Sequence, residues 1–302
     1  MKITEIEAGV YLIDAPYHGR LGILGTYVVI GAPNFVVDPG PTESIPGVIE
    51  GLKQLGIEKN SELLVGSTHI HLDHTGGVWK ILETFQNAKV HVHPRGAKHL
   101  ADPSILEASA RQFFGSRVDD YGEIRGAPAD RIIESKDDEK LSTGCCQVEI
   151  IWTPGHSSHH QCYFLAKEGV LIAGDAAGFY SPLSGTVMPT TPPPFNPEKA
   201  VESLDRLISL SPKIVCYSHF GFSHRGIEKL KLYKKQVILW SRIVEEGLEK
   251  EENIEDIYAK IKLEDPMTKR WIEPSDRREA ASLFNLQGFI EYFKWKKTKN
   301  LS

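Results

Sequence analysis

Short runs of alternating apolar and polar residues fill the first forty positions. They are "GVYLIDA", "GTYVVIG" and "NFVVDPG", each bounded by glycine or proline. Alternation at period two between turn residues predicts β-strands. Over 45–56 the period changes, and Ile45, Val48, Ile49, Leu52 and Leu55 recur at helical spacing. A strand is expected at 62–67, then a helix turning Val78, Trp79, Ile81, Leu82 and Phe85 inward, then a strand in "AKVHVHP". Residues 96–140 are irregular and charged, with a helical patch around 104–114, and read as an insertion over one face.

The second half repeats the theme. "CQVEIIW", "QCYFLA" and "GVLIAGD" read as strands, whereas "SPLSGTVMPTTPPPFNP" is too rich in proline and small residues for regular structure. Asn196 as N-cap, Pro197 at the first helical position and Glu198 behind it mark a helix start. That helix carries Val201, Leu204, Leu207 and Ile208, and "KIVCYSHFG" is the last expected strand. Beyond 225 two helical stripes follow, one through Leu230, Tyr233, Val237, Trp240, Val244 and Leu248, the other near Leu283, Phe284, Leu286, Phe289 and Ile290. No repeat of the solenoid kind is present. Strands punctuated by helices in both halves predict stacked sheets with helices outside. Residues 1–222 form the expected domain and 223–302 a helical extension.

Composition narrows the function. With 302 residues, 41% hydrophobic and 25% charged, the chain can bury a substantial core as an ordinary globular protein. No apolar run approaches the ~20 residues that span a bilayer, so no membrane partner is expected. "MKITEIEAG" lacks the apolar stretch of a signal peptide. Cys145, Cys146, Cys162 and Cys216 show no CxxC spacing and read as reduced thiols of a cytoplasmic protein. A net charge of −5 argues against a broad nucleic-acid surface. Scarce Asn and Gln beside plentiful Glu, Lys and Ile suggest a thermophile.

The chemistry is concentrated in "STHIHLDHTGG", which sets three of the chain's 12 histidines and an aspartate within 69–74. At a strand end His69 and His71 point the same way, because side chains repeat every two residues. Asp73 and His74 follow where the chain turns into a helix. Imidazole and carboxylate together suit zinc, iron or manganese. Four donors from one loop scarcely close two metal sites, so further donors are required downstream. His156 in "TPGHSSHH", Asp175 in "IAGDAAG" and His219 in "YSHFG" each sit at the end of an expected strand.

The ordered motifs "THIHLDH", "PGH", "GD" and "SH", spread over roughly residues 5–222, resemble the metallo-β-lactamase-fold hydrolases. The resemblance implies an αβ/βα sandwich with the site at one edge between the sheets. It implies two divalent metal ions, zinc in first place with iron or manganese as alternatives. His69, His71 and His156 would hold one, Asp73, His74 and His219 the other, and Asp175 would bridge them. Asp38, in "VVDPGP", matches a position that orients the histidine cluster. A water bridging two cations about 3.5–4 Å apart, its pKa lowered towards neutrality, is the nucleophile this implies. Asp73 would orient it, and no Ser or Cys nucleophile is needed.

Within that family, Asp175 stands where the best-known β-lactamases carry cysteine, which disfavours antibiotic hydrolysis. "TPGHSSHHQCYF" looks most like glyoxalase II, a thioester hydrolase, although the segment after Asp175 departs from that pattern. Lactonases of this fold use a tyrosine where Gly178 stands here, and Tyr180, two positions on, is the candidate for polarising a substrate carbonyl. The expected rim of Phe179, Tyr180, Pro193, Pro194, Phe195, Phe220 and Phe222 suits a small hydrophobic ester, thioester or lactone. A mononuclear iron sulfur dioxygenase and a metal-dependent phosphodiesterase or nuclease are the alternatives. His159 and His160 stand beside the ligand motif, whereas His91, His93 and His18 read as structural or exposed. The aromatics Tyr233, Trp240, Trp271, Phe284, Phe289 and Phe293 must be buried, as a roof over the substrate or as a homodimer interface.

Overall fold

A computed structural model describes residues 1–272 and 276–300. The first sheet has seven strands in chain order: β1 (Lys2–Glu7), β2 (Val10–Asp14), β3 (Thr26–Val29), β4 (Asn34–Val37), β5 (Leu63–Gly66), β6 (Lys89–Val92) and β7 (Ile132–Glu134). Strands β1 to β4 pair antiparallel, and β4 to β7 are parallel. Parallel neighbours need crossovers. Helices α1 (Ile45–Gln54), α2 (Leu72–Thr75) and α3 (Val78–Thr84) provide the first two. Helices α4 (Pro94–Ala101) and α5 (Ser104–Phe114) lie in the third.

The second sheet contains β8 (Lys140–Ser142), β9 (Gln147–Trp152), β10 (Gln161–Leu165), β11 (Val170–Ile172), β14 (Ile214–Tyr217) and β15 (Gly221–Ser223), in the order β15-β14-β11-β10-β9-β8. Only β11 and β14 run parallel, joined through α6 (Pro197–Ser209). A separate hairpin, β12 (Phe179–Ser181) with β13 (Thr186–Met188), stands apart from both sheets.

Alternation within the strands builds three cores. Tyr27, Val29, Phe35 and Val37 of the first sheet meet Ile150, Tyr163, Leu165 and Ile172 of the second in the middle layer. The other face of the first sheet packs Val28, Val36, Val65 and Val90 under α1 and α3. On β10, Cys162 and Phe164 turn to the opposite face, beneath α6 and α7 (Gly226–Glu249). The result is the expected sandwich, helices on sheet on sheet on helices.

Three features depart from the expectations. Residues 132–134 do not lie over a face: Val90 and Val92 pair with Ile132 and Glu134, so β7 is the edge strand of the first sheet. The proline-rich segment after Asp175 is not wholly irregular, since Phe179↔Met188 and Ser181↔Thr186 pair as a hairpin. Among the described residues the C-terminal part has four helices rather than two, with α8 (Ile254–Glu264) and α9 (Pro266–Ile272) between α7 and α10 (Asp276–Asn300). Buried Asp265 ties α7 to α9, accepting from Trp240 Nε1 and Gln236 Nε2 at 3.0 Å each and from Thr268 Oγ1 at 2.6 Å. Asn196 caps α6 as expected, accepting from Lys199 N at 3.0 Å.

Candidate metal centre

The donor residues follow β5, β9, β11 and β14, at the strand ends that open on one edge of the sandwich. His69 and His71 leave β5, and Asp73 and His74 lie in the single turn of α2. His156 follows β9, Asp175 follows β11 and His219 follows β14. These seven side chains converge as three overlapping sets: His69, His71 and His156; His69, His74 and Asp175; Asp73, His74 and His219. Within each set the donor atoms lie within 4.8 Å of one another.

Hydrogen bonds on the far side of the His74 and His156 rings leave the other nitrogen of each aimed at the centre. His74 Nδ1 donates to Asp38 Oδ2 at 2.9 Å, and His156 Nδ1 donates to the Thr190 carbonyl at 2.7 Å. Asp38 is itself held by Thr68 N at 2.8 Å, Thr68 Oγ1 at 2.6 Å and Ser218 Oγ at 2.9 Å. Thr190 Oγ1 donates to Asp175 Oδ2 at 3.1 Å, and Asp175 Oδ2 faces His156 Nε2 at 3.5 Å. Gly174 before it has φ +54, and a Cβ there would stand 2.8 Å from His160 Nε2 and Thr68 Oγ1. Only glycine fits so close an approach.

Two buried polar atoms, His74 Nε2 and Asp175 Oδ1, have no hydrogen-bond partner and stand 3.7 Å apart. Leaving such atoms unsatisfied is costly. His219 Nε2 lies 3.3 Å from Asp73 Oδ2 and 3.8 Å from Asp175 Oδ1. A cation bound among these atoms would satisfy both orphans, and imidazole nitrogen with carboxylate oxygen is the donor mix of zinc and its neighbours. The residues fit a metal.

The electrostatics favour positive charge. Burial alone would push His74 down, but Asp73, Asp175 and Asp38 outweigh it and raise it to about 10. Asp175 is held below its ordinary value because His219, His74 and His156 overcome the opposing effect of burial. His69 and His71 are driven well below 6.5, first by burial and then by neighbouring imidazoles. They stay neutral, and a neutral imidazole keeps the lone pair that a metal ion needs.

One cavity of about 690 Å³ opens beside the cluster. His71, Asp73, His156, Asp175 and His219 line its floor, and Phe179, Met188, Pro193, Pro194, Trp271 and Phe284 wall it. Tyr180 does not reach it. On β12 alternation turns Phe179 towards the cavity and Tyr180 away, where its ring stacks on Tyr217 with centroids 4.9 Å apart. Also expected on the rim, Phe195 packs into one core instead, and the half-buried Phe220 and Phe222 pack against another. His159 lines the cavity, whereas both ring nitrogens of His160 are engaged, by Thr153 Oγ1 at 2.8 Å and Asp175 N at 3.2 Å.

Two groups on the cavity wall escaped the sequence reading. Tyr121 comes from the 3-10 turn after α5, and burial, then the Asp73 carboxylate, raise its phenol so that it remains a donor. Its signal was no more than an aromatic in an irregular charged stretch. The second group is the stripe on α5, legible as helical spacing at 105–114.

The sequence profile of the metallo-beta-lactamase superfamily matches residues 19–219. The chain belongs to this superfamily. A metallo-beta-lactamase fold-containing protein of Sulfurisphaera tokodaii is 33% identical over 174 residues, 56% of this chain and 63% of its own length. A hydroxyacylglutathione hydrolase of Prochlorococcus marinus is 28% identical over 258 residues, 82% of this chain and 84% of that one. Among solved structures, an archaeal metallo-beta-lactamase superfamily protein from Sulfolobus tokodaii superposes with TM-score 0.70 and 25% identity, covering 94% of this chain and 98% of that one. That superposition takes in most of the C-terminal helices as well, whereas the family profile ends at residue 219. Among the described residues no helix is long and apolar enough to cross a membrane.

Proposed function

We propose that this superfamily member is a hydrolase that holds two divalent cations, zinc in first place, and cleaves an ester, thioester or lactone of a small hydrophobic substrate. The observation that carries the reading is the orphaned pair His74 Nε2 and Asp175 Oδ1, buried among seven donors at the floor of an apolar cavity. The match to hydroxyacylglutathione hydrolases supports thioester cleavage. Bound there, the metal pair would supply an activated water and polarise the acyl oxygen.

The chain's own groups do the rest. His69, His71 and His156 would hold one cation, Asp73, His74 and His219 the other, and Asp175 would join both sets. Asp73 is the more exposed carboxylate, with 27% of its side chain accessible. Burial would raise it, but His74 and His219 keep it ionised, so it can accept a hydrogen bond from water at the cavity floor and orient it. Asp38 and Thr190 fix the rings, so little reorganisation is needed. The walls are mostly apolar and exclude water from the acyl group, with Arg95 and His99 the basic side chains among the other lining residues.

Metal analysis combined with a panel of esters, thioesters, lactones, phosphodiesters and RNA tests this. Two zinc equivalents per chain and acyl cleavage are expected. One iron per chain with oxygen consumption on a persulfide would replace this reading by a sulfur dioxygenase, and preferred cleavage of RNA by a nuclease.

A further inference from the structure

We infer that the cavity seats an unbranched acyl chain along helix α5, between it and α10, so that the substrate class is an acyl ester or thioester with a tail of middle length. The inference rests on the hydrolase reading above.

Ile105, Leu106, Ser109, Ala110, Phe113 and Phe114 all line the cavity. Their spacing of one, three and four residues puts them on a single face of the helix. The opposite face is polar, with Arg111 paired to Glu107 and to Asp119 at 2.9 Å each. Helix α5 is thus amphipathic, yet none of its side chains is buried. Ile105 is 64% exposed and Phe113 49%. An amphipathic helix ordinarily covers its apolar face with protein. Here, apart from Leu106, which packs on the core of the first sheet, that face looks into open space, on the same cavity as the metal donors. Across the gap stand Phe284 and the Pro192–Pro194 run, and the Phe114 and Phe284 rings, 5.5 Å apart, bring the two walls together.

The shape of the stripe selects the ligand. From Ile105 to Phe113 it runs about 12 Å along the helix, the reach of an extended chain of about ten carbons. None of its six side chains is charged, so the stripe itself offers no counter-charge to a phosphate or a carboxylate-tipped tail, and Arg95 and His99 line the cavity outside it. The chain's acyl carbon would lie at the floor, where His71, Asp73 and His219 line the same space.

The test is an acyl-length series on the metal-loaded protein, thioesters of one thiol from acetyl to tetradecanoyl. The rate constant kcat/KM should rise about two- to fourfold per methylene up to about ten carbons and then level. Ala110→Trp, which blocks the stripe midway, should lower the decanoyl-to-acetyl ratio of kcat/KM by about tenfold or more. Phe113→Ala, which removes wall rather than adding bulk, should lower the same ratio severalfold and guards against a folding artefact. A series that is flat with chain length, while acetyl thioester is cleaved, would overturn this inference and leave the hydrolase reading standing. A flat series together with concentration-dependent dimerisation abolished by Phe113→Asp would assign the stripe to a second copy and overturn it too. Failure to cleave any acyl compound would overturn both readings.

Discussion

Replacing Asp38 by asparagine changes one buried atom and tests how the histidine cluster is aimed. Asp38 adopts a left-handed conformation, φ 48, which asparagine tolerates as well, so the backbone is not perturbed. Its Oδ1 accepts from Thr68 N, and its Oδ2 accepts from Thr68 Oγ1, His74 Nδ1 and Ser218 Oγ. An amide has only one acceptor oxygen. If its NH2 takes the Oδ1 position, it meets the Thr68 N–H, and two buried donors facing each other cost about 1–3 kcal/mol. If the NH2 takes the Oδ2 position, His74 must accept at Nδ1 and carry its proton on Nε2. That consumes the lone pair aimed at Asp175, and metal affinity should fall about 10- to 100-fold. Chelator competition measures affinity, and urea unfolding of the metal-free protein measures the fold. Ser218→Ala, which removes one donor and leaves the His74 tautomer alone, should cost about 1 kcal/mol with little change in affinity. If Asp38→Asn bound metal as tightly as the parent and unfolded at the same urea concentration, the account of the aimed imidazole would be refuted.

Other outcomes follow from the same geometry. Asp175→Asn cannot neutralise two cations, so bound metal should drop below two per chain and kcat/KM by about 100-fold or more; full occupancy with full turnover would remove Asp175 from the site. Tyr180→Phe should leave kcat/KM within about twofold, since its ring packs on Tyr217, whereas Tyr121→Phe should lower it about tenfold or more if the phenol donates to the substrate. Equal effects of the two substitutions would contradict the orientation of β12. His93 caps α4 through Nδ1 and is pushed down from 6.5 to about 4, mainly by burial and then by Arg95, against a smaller opposing pull from Asp137. As pH falls below 6.5 the unfolded chain takes up a proton that folded His93 refuses, so the His93 contribution to stability should decline between about 6.5 and 4 and level off below. His93→Asn, which keeps a cap acceptor, should flatten that part of the urea-midpoint profile; an unchanged profile would exonerate His93.

What the sequence alone determined was the local grammar. Strand periodicity, the cap at Asn196 and four motifs at strand ends were legible because each depends on neighbours along the chain. With them came the donor residues, since a strand end projects its side chains in a known direction. The partners that aim those donors are less visible: Asp38 is legible only through the family resemblance, and Thr190 lies in a stretch that reads as irregular chain. Tertiary structure alone decided whatever depends on packing between distant segments. The hairpin of β12 and β13 is only three residues deep on each side, and Val187 and Met188 are held by burial against Tyr233 and Trp240 of α7 rather than by their own propensity. That burial fixed which face β12 turns to the cavity, and so moved Tyr180 away from the site. Likewise Ile132–Glu134 joined the first sheet because β6 offered an unpaired edge, which no local pattern reports. The apolar face of α5 was written in its helical spacing, but whether it would meet protein or an open cavity depended on where α10 came to rest across the gap.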